Sequence, residues 1–155
     1  MMHAEIENAD RAVIESELQK HGSYASITRG TSMRPLFKTS RDVVIIEPIT
    51  RPLRKYDVVL YTGTHNKYTL HRIISVKGGY CIIRGDNTYK KEYVPTDRII
   101  GILTEFNRKG KRGSTSSVSF KIYSRVWHYL YPVRHICHKI HVLLAKIKNK
   151  IFKRK

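Results

Sequence analysis

Two glycines, Gly78 and Gly79, separate an apolar run at 70–76 from another at Tyr80–Arg84. Two such runs joined by so short a break pair as an antiparallel hairpin, because glycine supplies the backbone the turn demands. Short apolar runs bounded by turn residues recur along the first two thirds of the chain. They cover 24–28, Val43–Glu47 ended by Pro48, 57–62, 67–77 entered through Thr64-His65-Asn66, and 99–106. Five or six short strands with little helix between them predict a mainly β fold, built as one compact antiparallel β domain. Ahead of it, 4–20 reads as a helix in which Ile6, Val13, Ile14 and Leu18 share a face, and His21-Gly22-Ser23 stops it.

Three polar groups stand out against this scaffold. Ser32 lies in the turn-forming stretch Gly30-Thr31-Ser32-Met33-Arg34-Pro35, His71 lies in the apolar run Leu70-His71-Arg72-Ile73-Ile74, and Asp86 lies in Gly85-Asp86-Asn87. A hydroxyl, an imidazole and a carboxylate, far apart in sequence, are the parts of a serine hydrolase that a fold brings together. Each has a plainer reading alone: serine as turn chemistry, histidine as a structural strand residue, aspartate as the anchor of its own turn. Together they predict Ser32 as nucleophile and His71 as general base, with a ring nitrogen within reach of Ser32 Oγ. Asp86 is the candidate for orienting the imidazole, the alternative being that it only fixes the turn; Glu92 and Asp97 follow it. The Ser32 backbone N–H, with Gly30 or Thr31 beside it, is the expected oxyanion hole. Met33 is expected to pack under the nucleophile, and Pro35 to stiffen its turn.

These residues resemble the serine peptidases of the S24/S26 type, which include the type I signal peptidases and the self-cleaving repressors. The resemblance runs from about Ile27 to Leu103, roughly half of the chain. Ser32-Met33-Arg34-Pro35 is similar to that family's Ser-Met-x-Pro box, Gly85-Asp86-Asn87 to its Gly-Asp-Asn box, and Ile99-Ile100-Gly101 to its closing strand. Asp42-Val43-Val44 and Asp57-Val58-Val59 are similar to its two Gly-Asp-x-Val strand openings, with Ser40-Arg41 and Tyr56 where glycine is usual. Histidine at position 71 follows the endoplasmic-reticulum, archaeal and sporulation-type signal peptidases rather than the lysine of the others. The exchange suits the chemistry, since histidine titrates near neutrality whereas lysine must be desolvated to lose its proton. The resemblance implies a signal peptidase/LexA-like β domain and cleavage of a leader or exported peptide with small residues at the first and third positions before the bond. A self-cleaving regulator and an inactive interaction module at a membrane are the alternatives. No DNA-binding module precedes the nucleophile box, and the intact boxes argue against the second.

Charge divides the chain. All 12 Asp and Glu residues lie at or before Glu105, whereas 106–155 carries 14 Lys and Arg and no acidic residue, out of a net +18. Composition therefore predicts an N-terminal helix over 1–22, the peptidase-like domain over 23–106, a linker over 107–117 and a basic, mostly helical extension over 118–155. Within the extension, 118–123 reads as a further strand, and Pro132 opens a helix or marks a break. Val133, Ile136, Ile140, Leu143, Leu144 and Ile147 recur at three- and four-residue steps among basic residues. That is a basic amphipathic helix suited to peripheral contact with an anionic membrane, with Lys146, Lys148 and Lys150 as lipid-facing charges; packing on the chain's own domain is the alternative. No helix-turn-helix, zinc-finger or stacking motif accompanies the charge, so nucleic acid is not an expected partner.

Two widely separated cysteines, Cys81 and Cys137, and no Cys-x-x-Cys predict neither a disulfide framework nor a metal centre. His135, His138 and His141 are expected to form the polar flank of the helix, and no cofactor is called for. No run approaches the length of a membrane span and 1–10 has no apolar core, so the expected location is cytoplasmic, at the inner face of the membrane.

Overall fold

The computed structural model describes residues 11–63 and 68–152. Ile6 and the expected Thr64-His65-Asn66 turn lie outside the described residues. The chain divides into two compact units, Met1–Lys121 and Ile122–Lys155.

In the first unit, helix α1 (Arg11–His21) precedes eight antiparallel strands: β1 (Tyr24–Ile27), β2 (Val43–Glu47), β3 (Val58–Thr62), β4 (Tyr68–Lys77), β5 (Tyr80–Arg84), β6 (Glu92–Pro95), β7 (Ile99–Arg108) and β8 (Lys111–Ser114). Their order is β1-β2-β7-β3-β4-β5-β6, with β8 also paired to β7. The architecture is thus a mainly antiparallel β sheet with helices, as the alternation of runs and turns predicted. α1 buries Ile14 and Leu18, one turn apart, and ends where the Gly22 N–H bonds the Leu18 carbonyl. Val13, expected on that face, is exposed instead, because 13 and 14 point a third of a turn apart on a helix.

β7 lies between β2 and β3, with Ile46 opposite Leu103 and Val59 opposite Ile102. Gly101 makes this fit: a Cβ there would meet Ile46 Cγ2 at 2.6 Å and the Glu47 carbonyl oxygen at 2.8 Å. One face of the sheet buries Val59, Tyr61, Ile73, Cys81, Ile83 and Val94 as a continuous core. The 73–83–92 line of partners across β4, β5 and β6 carries that face outward to Glu92. Burial, then the Asp57 charge, pushes the Cys81 thiol up, so it packs as an apolar side chain.

Two expectations from composition are corrected here. The stretch 107–117, expected as a linker, holds the end of β7 and all of β8, closed by a turn at Lys109 (φ 51°) and Gly110 (φ 78°). Two successive positive φ values make the tight turn that matches strand twist. Residues 118–123 are not a strand but the start of helix α2 (Val118–Tyr129). The Phe120 N–H donates to Ser117 Oγ at 3.3 Å, and this N-cap overrides the period-two alternation of Val118, Phe120 and Ile122. Phe120 is buried against Phe106, their ring centroids 5.8 Å apart.

The second unit holds the rest of α2 and helix α3 (Tyr131–Phe152). Pro132 sits in the first turn of α3, where a missing N–H costs nothing. Among the described residues no helix is long and apolar enough to cross a membrane.

Candidate active site

The segment after β1 folds back on itself before it reaches β2. Thr28 ties its base: the Thr28 N–H donates to the Asp42 carbonyl at 2.9 Å, its hydroxyl lies 3.1 Å from both the Lys38 and Asp42 carbonyls, and its own carbonyl accepts from Ser40 N–H. Asp42 is buried and accepts from the Lys38 N–H and the Arg41 guanidinium. Burial pushes its carboxyl up, but these bonds outweigh it and hold it below its usual range. Met33, Leu36 and Phe37 are buried and anchor the middle of the loop. Ser32, only 2% exposed, thus rides on a turn anchored by buried neighbours.

His71 is fully buried in β4. Its Nε2 lies 2.9 Å from Ser32 Oγ, within the hydrogen-bond reach that the two sequence boxes predicted. On the other side of the ring, Nδ1 is 3.1 Å from Glu92 Oε1 and 3.1 Å from the Tyr61 hydroxyl, which itself donates to Glu92 Oε2 at 2.8 Å. These contacts select one arrangement of protons. Tyr61 has a single O–H and gives it to Glu92, so toward Nδ1 its oxygen can only accept. Nδ1 therefore carries the proton, and Nε2 presents its lone pair to the Ser32 hydroxyl. Burial, then the Glu92 charge, pushes the Tyr61 phenol well above its usual range, so it stays a donor.

The carboxylate beside His71 is thus Glu92 and not Asp86. Asp86 is buried, and both its oxygens are taken by Arg72, which donates from Nε and NH2 at 2.8 Å each. The same guanidinium reaches the Tyr56 carbonyl and stacks 5.4 Å from the Phe120 ring. The Gly-Asp-Asn box positions the site through all three of its residues. A Cβ on Gly85 would meet the Ser32 carbonyl oxygen at 2.7 Å and His71 Nε2 at 2.8 Å, so only glycine lets the imidazole lie where it does. Asn87 clamps the Ser32 turn, its N–H bonding the Ser32 carbonyl at 2.6 Å and its side-chain amide the Thr31 carbonyl at 3.2 Å. Gly30 takes φ 76°, and its carbonyl accepts from the Thr39 hydroxyl. Asp97, the other acidic residue after the box, sits exposed in a 3-10 turn, Thr96–Arg98.

No protein-family model matches the chain, and no curated protein matches it at a significant level. The reading of the site therefore stands on its geometry.

Glu92→Gln removes the charge while keeping the side chain's size, and lets an amide compete for the Tyr61 and Nδ1 partners. It should lower kcat by about 10²- to 10⁴-fold with little change in KM, because the wrong tautomer is then stabilised. Tyr61→Phe keeps the buried ring and deletes only the hydroxyl, so about a tenfold loss is expected. Steady-state kinetics on both variants, with melting temperatures to confirm folding, check the order. Near-native turnover of Glu92→Gln would remove Glu92 from the site.

Proposed function

We propose that the protein is a serine endopeptidase in which Ser32 is the nucleophile, His71 the general base and Glu92 the orienting carboxylate. The Ser32 Oγ to His71 Nε2 distance of 2.9 Å, inside a buried network that fixes the tautomer, carries this reading. His71 takes the Ser32 proton as Oγ attacks the scissile carbonyl to form the tetrahedral intermediate, and gives it to the amine as that intermediate collapses, the C–N bond breaking to leave an acyl-Ser32 ester. Water then attacks the acyl group by the same proton route, releasing the acid and restoring Ser32. An imidazolium at a fully buried ring would be costly alone. With the Glu92 carboxylate 3.1 Å away, the proton transfer completes an ion pair instead of creating a lone charge. The Ser32 N–H, with that of Gly30 or Thr31, is the assigned oxyanion hole in this scheme.

The fold is read as that of the S24/S26 peptidases. One position where that resemblance lacks its usual glycine supports this, because Tyr56 (φ 80°), directly before Asp57, takes the left-handed backbone that glycine favours. The substrate class that follows is a leader-bearing or exported peptide with small side chains before the cut bond. The full-length chain should cleave a peptide library at bonds preceded by small residues at the first and third positions, read by mass spectrometry. Products indistinguishable from those of a Ser32→Ala control would end the proposal.

A further inference from the structure

The second unit presents a surface that the proposed catalysis does not use. Along α3, Val133, Ile136, Ile140, Leu143, Leu144 and Ile147 are all exposed, at three- and four-residue steps that align them as one stripe. Leu144 at 59% and Ile136 at 59% are far from core burial. On α2, Ile122 and Val126, and just past its end Leu130, add exposed apolar side chains at four-residue steps. The two helices are tied by Arg134, whose guanidinium lies 3.7 Å over the Trp127 ring, itself stacked on Tyr123. From Ile122 to Lys155 there are nine Lys and Arg residues and no Asp or Glu. Lys139 and Lys146 are exposed beside the stripe; Lys148 and Lys150 lie in α3, with side chains outside the described residues.

Charge complementarity selects the occupant. A second copy of the helix would meet the stripe with a 3-4 spacing fit for a coiled coil, but the flanks would then bring like charges together with no acidic residue to relieve them. Nucleic acid would match the charge and leave the leucine and isoleucine stripe in water. A spanning helix is excluded for the described residues by length and hydropathy. An anionic lipid surface meets both demands at once, since the acyl boundary takes the stripe and the headgroups take the cations, whose long stems reach up from it.

We propose that α3, continued by the exposed face of α2, is a peripheral anchor lying in the plane of an anionic membrane surface. This stands apart from the peptidase reading and survives its failure. The full-length protein should sediment with phosphatidylcholine vesicles containing phosphatidylglycerol and stay in solution with phosphatidylcholine alone. Trp127, the single tryptophan, should shift its emission to the blue on the anionic vesicles, a readout that needs no variant. Raised salt should weaken binding. Lys139→Glu with Lys146→Glu and Lys150→Glu should lower affinity by about a hundredfold or more. Leu143→Ser with Leu144→Ser should release the protein without changing its charge. Equal binding to neutral vesicles, no binding to either, or binding unmoved by the charge reversals would overturn the proposal. So would lipid-independent self-association abolished by Leu143→Ser, or binding of nucleic acid in place of vesicles.

Discussion

Ser32→Ala and His71→Ala should each abolish cleavage, by roughly 10⁴- to 10⁶-fold in kcat, and the double substitution should be little worse than either alone. In the proposed mechanism the two groups act as one unit, the 2.9 Å contact between Ser32 Oγ and His71 Nε2 being the path of the proton that leaves as Oγ attacks. Removing either end leaves the other without a task. Ser32→Ala deletes one buried oxygen and should keep the melting temperature. His71→Ala also empties a fully buried ring site, so His71→Gln, which better fills the space, separates loss of the base from loss of packing. Arg72 cannot take over as base, since guanidinium keeps its proton. Cleavage rates with a single peptide, together with thermal unfolding, check the set. Losses that multiply in the double variant would mean that the two residues act independently, which the dyad does not allow.

Asp86→Ala should act on the fold before it acts on the chemistry, destabilising the protein by about 3–5 kcal/mol. It leaves the Arg72 guanidinium buried without its bidentate partner, at a point where the Arg72 side chain is 5% and that of Asp86 3% exposed. Replacing both ends with apolar residues of similar size, Arg72→Met with Asp86→Leu, should recover much of the loss, because the cost lies in the stranded charge more than in the missing attraction. Denaturant unfolding measures both. Had Asp86 been the partner of His71, the single variant would be stable and inactive instead. Asp86→Ala with full stability and no turnover would restore it to the site.

Ser32 and His71 were legible in the sequence because their neighbours do local work. Gly30, Asn87 and Gly85 announce turns and close approaches whose reasons lie in the backbone, and the run around His71 is a buried strand. Residues Val43–Glu47 and Tyr80–Arg84 fell on their strands to the residue, each bounded by a proline or a turn. Glu92 was visible only as one of two acidic residues after the box. β6 is four residues long, ends in Pro95 and follows Lys90-Lys91, so neither periodicity nor composition marks it as a strand. What brings Glu92 beside His71 is register: Ile73 opposite Ile83, and Ile83 opposite Glu92. Pairing across three strands leaves no trace in local sequence. β8 was hidden for the same reason, its Lys, Arg, Gly and Ser carrying a linker's composition while β7 supplies its partners. At Val118 the alternation was real, yet a single serine hydroxyl at the N-cap decided for helix.

The insertion of β7 between β2 and β3 has a consequence for when the protein becomes active during its own synthesis. The Ser32 turn leaves the ribosome with β1 and β2, and His71 and Glu92 follow with β3 to β6. Until 99–108 emerge, those two groups of strands have no shared neighbour in the sheet. Serine and histidine are therefore translated well before they are joined across one continuous sheet, and a chain interrupted ahead of Ile99 lacks the strand that joins them. Under the proposed mechanism, a chain built in this order delays its own activity. The Ser32–His71 pair is complete in the sheet only when the last of its strands is made.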